Sequence, residues 1–258
     1  MIKKTYIFGG LQLLITFLVG AYIESISSNN LLFTKGILAD DLRQEIIANP
    51  FKVLLFLGFL NLFFFVASHR DREKKEKKIL FDNICQIIFD KFIRKEPTLE
   101  NSNIRVSLFA AQKKIIFRKE NFFLPEFRTV LVNEGRYQTR QEKKYCKLRF
   151  LPGEGAVGNS YMIGQLIFVN TIAFSKKEEN EYYNQQFEQT KLPIHKIKKL
   201  AEKSSSIVCC PIKYFKSDEL FGVIVVDSIY KDRLLQNHFR SIEEVLHNYS
   251  ALFNQKIS

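Results

Sequence analysis

Residues 6–23 (YIFGGLQLLITFLVGAYI) run for 18 positions without a charge, and no other feature constrains this chain as much. Crossing a hydrocarbon core takes about 20 apolar residues, with a working range of about 17–25. A second run, residues 51–67 (FKVLLFLGFLNLFFFVA), carries one lysine near its start, which can snorkel to the interface. The alternative for the first run is a secretory signal peptide. Its apolar stretch is longer than the ~7–15 residues of such signals, and no small-x-small cleavage site follows. We therefore expect two transmembrane helices within residues 1–69, then a basic connector helix over 70–95 and a cytosolic domain over 96–258.

Charge follows the same division. Five of the 39 basic and four of the 27 acidic residues lie in residues 1–67, which leaves 34 and 23 for the remainder and puts nearly all of the net +12 there. Lys3 and Lys4 precede the first run, and Arg70, Arg72, Lys74, Lys75, Lys77 and Lys78 follow the second. The segment between the runs, 24–50, holds only Lys35 and Arg43. The positive-inside rule then puts both termini in the cytoplasm, which for a bacterial protein means the inner membrane with the connection outside. In that connection Asp40 is placed to cap a short helix bearing Leu38, Leu42 and Ile46, ended by Asn49-Pro50. Four cysteines at irregular spacing exclude a disulfide scaffold.

Polar and small residues recur within the apolar runs. Gly9, Gln12, Thr16 and Gly20 are spaced to share one helix face, as are Gly58 and Asn61. They serve either helix–helix packing or a polar stripe lining a water path. Two helices cannot enclose a pore alone, so both readings predict a homo-oligomer.

Beyond the membrane block, Leu80, Ile84, Ile87, Ile88 and Phe92 form a helical stripe that Pro97 ends. Strand patterns follow at 104–110 (IRVSLFA), 114–118 (KIIFR), 129–132, 145–151, 166–169, 207–212 (IVCCPI) and 221–226 (FGVIVV). Segment 213–220 reads as a hairpin turn, and 239–255 carries a second helical stripe. Helices bracketing hairpin-linked strands predict an α+β fold: two transmembrane helices followed by an antiparallel sheet flanked by helices.

Residues 150–170 (FLPGEGAVGNSYMIGQLIFVN) resemble the core motif of GAF domains, a glycine-rich turn entering a helix and then a short strand. Residues 204–228 (SSSIVCCPIKYFKSDELFGVIVVDS) resemble the closing GAF hairpin. Together they cover about residues 78–256. The resemblance implies a six-stranded sheet, dimerisation through terminal helices, and a small-molecule pocket capped by residues 171–203 and the neighbourhood of 149–161. Within that cap Arg149, Asn159, Tyr161, Tyr183, Lys191, His195 and Lys198 are the expected ligand-binding residues. The positive charge of Arg149, Lys191 and Lys198 suits a small anion such as a nucleotide or short oligonucleotide. The alternative for the lysines is a solvated helix face.

The run Gly153-x-Gly155-x-x-Gly158 also fits a dinucleotide-binding loop, but that loop needs a parallel βαβ unit. In an antiparallel sheet the glycines are structural. Cys85 is expected in a core, and Cys209 and Cys210 on opposite faces of one strand. The four histidines form no metal pattern, and no nucleophile elbow, kinase or phosphate-loop signature is present, so neither enzyme activity nor a cofactor is expected. No groove-reading element points to duplex DNA. Two outputs remain open. One is an oligomeric pore gated by the GAF-like domain, a layout similar to nucleotide-controlled membrane effectors of bacterial anti-phage systems. The other is a membrane-tethered sensor that docks a separate partner.

Overall fold

A computed structural model describes residues 14–16, 50–100, 103–118, 121–138, 148–200, 203–214, 217–235 and 238–249. The chain divides into two compact units, Met1–Lys77 and Lys78–Ser258.

In the first unit Leu14, Ile15 and Thr16 are helical, and α1 (Pro50–Lys95) begins. Gly9, Gln12 and Gly20, the short helix after Asp40, and most of the first apolar run lie outside the described residues. Among the described residues, no helix is long and apolar enough to cross a membrane. Asn61 Nδ2 donates to Thr16 Oγ1 at 3.3 Å, so one polar residue from each expected face meets the other. Leu57, Leu60, Asn61 and Phe64 are half-buried at helical spacing, whereas Leu55, Phe56, Phe59, Leu62, Phe63, Phe65 and Val66 are exposed. Gly58 is also exposed, and among the described residues a Cβ built there meets nothing within 4 Å.

No glycine or proline interrupts α1 from Phe59 to Lys95, and the helix stops where Pro97 disfavours helical backbone at the preceding residue, Glu96. In the second unit Phe81, Ile84, Cys85, Ile88, Phe89 and Phe92 are buried. The stripe read from the sequence thus rotates: Phe81, Cys85 and Phe89 join it, while Ile87 stays exposed.

Among the described residues six strands form one sheet: β1 (Ile104–Arg118), β2 (Asn121–Gln138), β3 (Arg149–Phe150), β4 (Ile167–Asn170), β5 (Ser206–Lys213) and β6 (Leu220–Ser228). Their spatial order is β3-β2-β1-β6-β5-β4, and every neighbouring pair is antiparallel. The sheet has the strand number that the GAF resemblance implies. The two strands read at 104–110 and 114–118 are one, because Gln112 and Lys113 continue the ladder with Val130 and Thr129. Among the described residues of the expected 145–151 strand, Arg149 and Phe150 pair with β2, and residues 145–147 lie outside the described residues. Beyond Ala110, where β6 ends its pairing, β1 and β2 run on as a two-stranded ribbon.

Helices cover both faces. One face packs on α1 and α5 (His238–Tyr249), through Val106, Leu108, Cys210, Ile224, Ile242 and Val245 among others. The other packs on α2 (Gly155–Ile163), α3 (Glu179–Thr190) and α4 (Ile194–Lys198), through Leu131, Val169, Tyr182, Ile197, Cys209 and Val223. Adjacent residues of a strand point to opposite faces, which is why Cys209 and Cys210 fall in different clusters. Burial pushes the Cys210 thiol up to about 12 and the Cys209 thiol well above its ordinary value, so both are held protonated as packing groups.

The glycine run is a turn. Gly153 and Gly155 have φ of +82° and +66°, and Gly153 N–H donates to Gly158 O at 2.8 Å. A Cβ on Gly158 would sit 2.1 Å from the Leu151 carbonyl oxygen. With α2 feeding an antiparallel sheet, the dinucleotide-loop alternative falls.

Candidate functional site

The alternation in IRVSLFA sends Ile104, Val106, Leu108 and Ala110 to one face of β1, and Arg105, Ser107 and Phe109 to the other. On an ordinary half-exposed strand the second set would meet water. Here α2, α3 and α4 cover it, and Arg105 and Ser107 are 4% and 2% exposed. Cross-strand register supplies their partners: Arg105 lies opposite Asp227 on β6, and Ser107 opposite Arg136 on β2. Arg136 is itself 5% exposed.

These groups surround a cavity of about 80 Å³. Arg105 Nε donates to Asp227 Oδ1 at 2.5 Å and Arg105 Nη2 to Ser204 Oγ at 2.5 Å, while Ser204 Oγ donates to Asp227 Oδ2 at 3.1 Å. Arg136 Nε donates to Ser107 Oγ at 3.1 Å. Phe109, Phe150, Leu192, Ile207 and Val225 give apolar wall, and Ala156 and Val157 bring the first turn of α2 to it. Asp227 is the one carboxylate among the described lining residues, against two guanidinium groups. Burying charges is expensive unless they are paired and hydrogen-bonded, so a shielded trio of this kind marks a candidate binding site.

The lid over the cavity is pinned to the sheet. Gln186 Nε2 on α3 donates to Thr171 Oγ1 at 2.9 Å and to the Ser204 carbonyl at 2.8 Å. Tyr182 Oη donates to the same carbonyl at 2.8 Å. Burial, then the charge of Asp227, pushes the Tyr182 phenol far above its ordinary value, so it stays a donor. Lys203 Nζ donates to the carbonyls of Ile197, Lys198 and Leu200 at 2.7, 2.9 and 3.0 Å, which closes the end of α4. Burial lowers the pKa of this ammonium.

None of the seven ligand residues expected from the sequence lines this cavity. Arg149 is exposed on β3, one position from the inward-facing Phe150. Asn159 Nδ2 donates to the Thr190 carbonyl at 3.3 Å, and Tyr161 Oη to the Leu220 carbonyl at 3.5 Å. His195 is exposed on α4. Lys191 caps α3 in the left-handed region with its ammonium 5.9 Å from the Phe187 ring, and Lys198 lies 5.3 Å from the Tyr183 ring. The expected cap segments do wall the cavity, but through Phe150, Ala156, Val157, Gln186, Thr190, Leu192 and Leu200. The charged residues that line it come instead from β1, β2 and β6. The sequence signal for them was an arginine and a serine alternating with aliphatic residues inside a strong strand, and an aspartate at the end of FGVIVVD.

A wider concavity of about 1140 Å³ lies beside α5 and β5, lined in part by Lys213, Asp218, Glu243 and His247. Those polar groups are exposed, so it lacks the buried chemistry of the smaller site. Among the described residues, no cluster of three or more His, Cys, Asp or Glu is placed to hold a metal ion.

Tyr183 Oη donates to Glu179 Oε1 at 2.6 Å. That bond first, then burial, pushes the phenol from 10.0 up to about 12. The folded state therefore keeps a proton that the unfolded state has lost. This contribution to stability is complete below the unfolded value and is lost as pH rises through the folded one. In an alkaline difference titration of tyrosinate absorbance, Glu179→Gln is expected to bring one tyrosine back towards the ordinary value.

No family model matches this chain, and no curated protein matches it. Among solved structures it is similar to the type II free methionine-R-sulfoxide reductase of Thermoplasma acidophilum, with 12% identity over 70% of this chain and 94% of that one, at a TM-score of 0.41. A GAF domain matches with 14% identity over 69% of this chain and 75% of its own, at 0.38. The GAF domain of an Acinetobacter phosphoenolpyruvate-protein phosphotransferase matches with 14% identity over 62% and 76%, at 0.36.

Proposed function

We propose that Lys78–Ser258 is a GAF-like sensor that takes a small anionic ligand in the cavity between the sheet and the α2–α4 lid. The observation that carries this reading is the buried set of Arg105, Arg136 and Asp227 around a space with apolar walls. Two guanidinium forks and a shielded interior suit an anion that sheds its water on entry. Ligand binding also has a physical route to α1. The backbone N–H of Arg136 donates to Asp82 Oδ1 at 2.8 Å, and Asp82 lies on the α1 segment of the same unit.

The output in this proposal is the membrane part, with the lipid bilayer and further copies of the chain as partners. Three observations support it: the uncharged run at 6–23, the exposed leucine and phenylalanine face of α1, and the six basic residues from Arg70 to Lys78. An apolar face followed by a cationic turn matches hydrocarbon bordered by anionic headgroups. The ligand shifts the balance between two states of an oligomer only by as much as its affinity differs between them. The second reading, a membrane-tethered sensor that docks a partner, uses the same cavity with no pore.

Liposome flux separates the two. The reconstituted full chain is expected to pass small ions, and Gln12→Leu with Asn61→Leu is expected to abolish the flux while leaving membrane insertion intact. Flux unchanged in the double variant removes those amides from the pathway. A sealed bilayer under all ligand conditions leaves the docking reading.

A further inference from the structure

We infer that the ligand is a compact organic monocarboxylate with a short apolar body, and not a nucleotide; the inference rests on the cavity being the sensor's ligand site. Volume is the first argument. Water-sized groups take up about 10–15 Å³ each on this measure, so a cavity of about 80 Å³ holds about five to eight heavy atoms. Pockets for larger ligands run to about 300–1,000 Å³.

Shape is the second argument. A planar carboxylate matches the planar guanidinium fork, with Ser107 beside Arg136 as a further polar group. Phe109, Phe150, Leu192, Ile207 and Val225 then face the rest of the molecule, and they offer it no polar side chain.

The test uses the detergent-solubilised full chain and four probes: isovalerate, its neutral isostere isovaleramide, inorganic phosphate and AMP. Isothermal calorimetry is expected to show isovalerate binding and isovaleramide binding at least about tenfold more weakly, since a hydrogen bond to a charged partner is worth that much. Phosphate and AMP are expected to give no heat. Arg136→Lys keeps the charge but loses the fork, and is expected to weaken isovalerate by about tenfold. Val157→Phe fills the space from α2 and is expected to abolish binding, with circular dichroism confirming that both variants fold. AMP or phosphate binding that Arg136→Lys weakens would overturn the monocarboxylate while keeping the cavity as the site. Isovalerate binding that neither variant alters overturns the cavity reading itself. Silence from all four probes at millimolar concentration overturns the ligand class.

Discussion

Asp227→Ala is expected to lower the unfolding free energy of the Lys78–Ser258 unit by about 3–5 kcal/mol, the range for removing one partner of a buried ion pair. The pair is nearly inaccessible, with the two side chains 5% and 11% exposed. Taking away the carboxylate removes the acceptor of Arg105 Nε between sheet and lid, and leaves Ser204 Oγ without its acceptor. The Ser204 carbonyl in turn anchors Tyr182 and Gln186 of α3, so the damage reaches the lid. Chemical denaturation followed by circular dichroism measures the effect; the chain has no tryptophan to report by fluorescence.

A companion variant distinguishes stability from function. Replacing both members, Arg105→Met with Asp227→Leu, removes the charges together and puts apolar volume in their place. Substitutions of this kind are often neutral or stabilising. The double variant is expected to recover most of the lost stability and to bind no anionic ligand. Full stability with full binding would show that the pair is neither a structural nor a ligand element. If Asp227→Ala loses less than about 1 kcal/mol, water reaches the site and the screened value for a surface pair applies.

This ion pair also shows where the sequence stops being informative. The α+β fold of the Lys78–Ser258 unit was legible because it depends on period and order. Strands rich in β-branched residues, a hairpin between β5 and β6, and helical stripes at both ends of the unit leave few alternatives to a sheet covered by helices. The cavity was not legible in the same way, because burial of a polar strand face depends on what covers it. Arg105 and Ser107 alternate with Ile104, Val106 and Leu108, a pattern that normally marks the solvent side of a strand. Only the packing of α2–α4 across that face turns it into an interior. The reverse holds for the lid. Lys191, His195 and Lys198 form a conspicuous basic cluster in sequence, yet they sit on the outer side of the elements whose apolar residues wall the cavity. Long cationic side chains cover apolar surface with their stems and keep their heads in water, so a basic lid segment need not point its charge inward.

Gly158→Ala carries the second large effect, and it tests what the glycine run is for. A Cβ at this position lies 2.1 Å from the Leu151 carbonyl oxygen and 3.3 Å from the Gly153 backbone nitrogen. Both contacts are with main chain, which cannot rotate away as a side chain can. The same few residues are tied by Gly153 N–H to Gly158 O at 2.8 Å, Glu154 N–H to Leu151 O at 2.9 Å and Gly158 N–H to Glu154 O at 3.0 Å. Opening the turn to admit a methyl group therefore breaks several hydrogen bonds at once. It also displaces Ala156 and Val157 from the cavity wall. A loss of about 3 kcal/mol is expected, at the upper end of ordinary overpacking. Anion affinity is expected to fall in step with the distortion of α2, and heating should unfold the variant earlier than the parent chain. A phosphate-cradling loop predicts a different result, since there the damage would be confined to phosphate binding while stability stayed within about 0.5 kcal/mol of the parent. Thermal unfolding and isovalerate calorimetry on the same variant decide between the two. An unaltered melting profile would mean that the turn relaxes in a way its main-chain contacts forbid, and the structural role assigned to the glycines would fail.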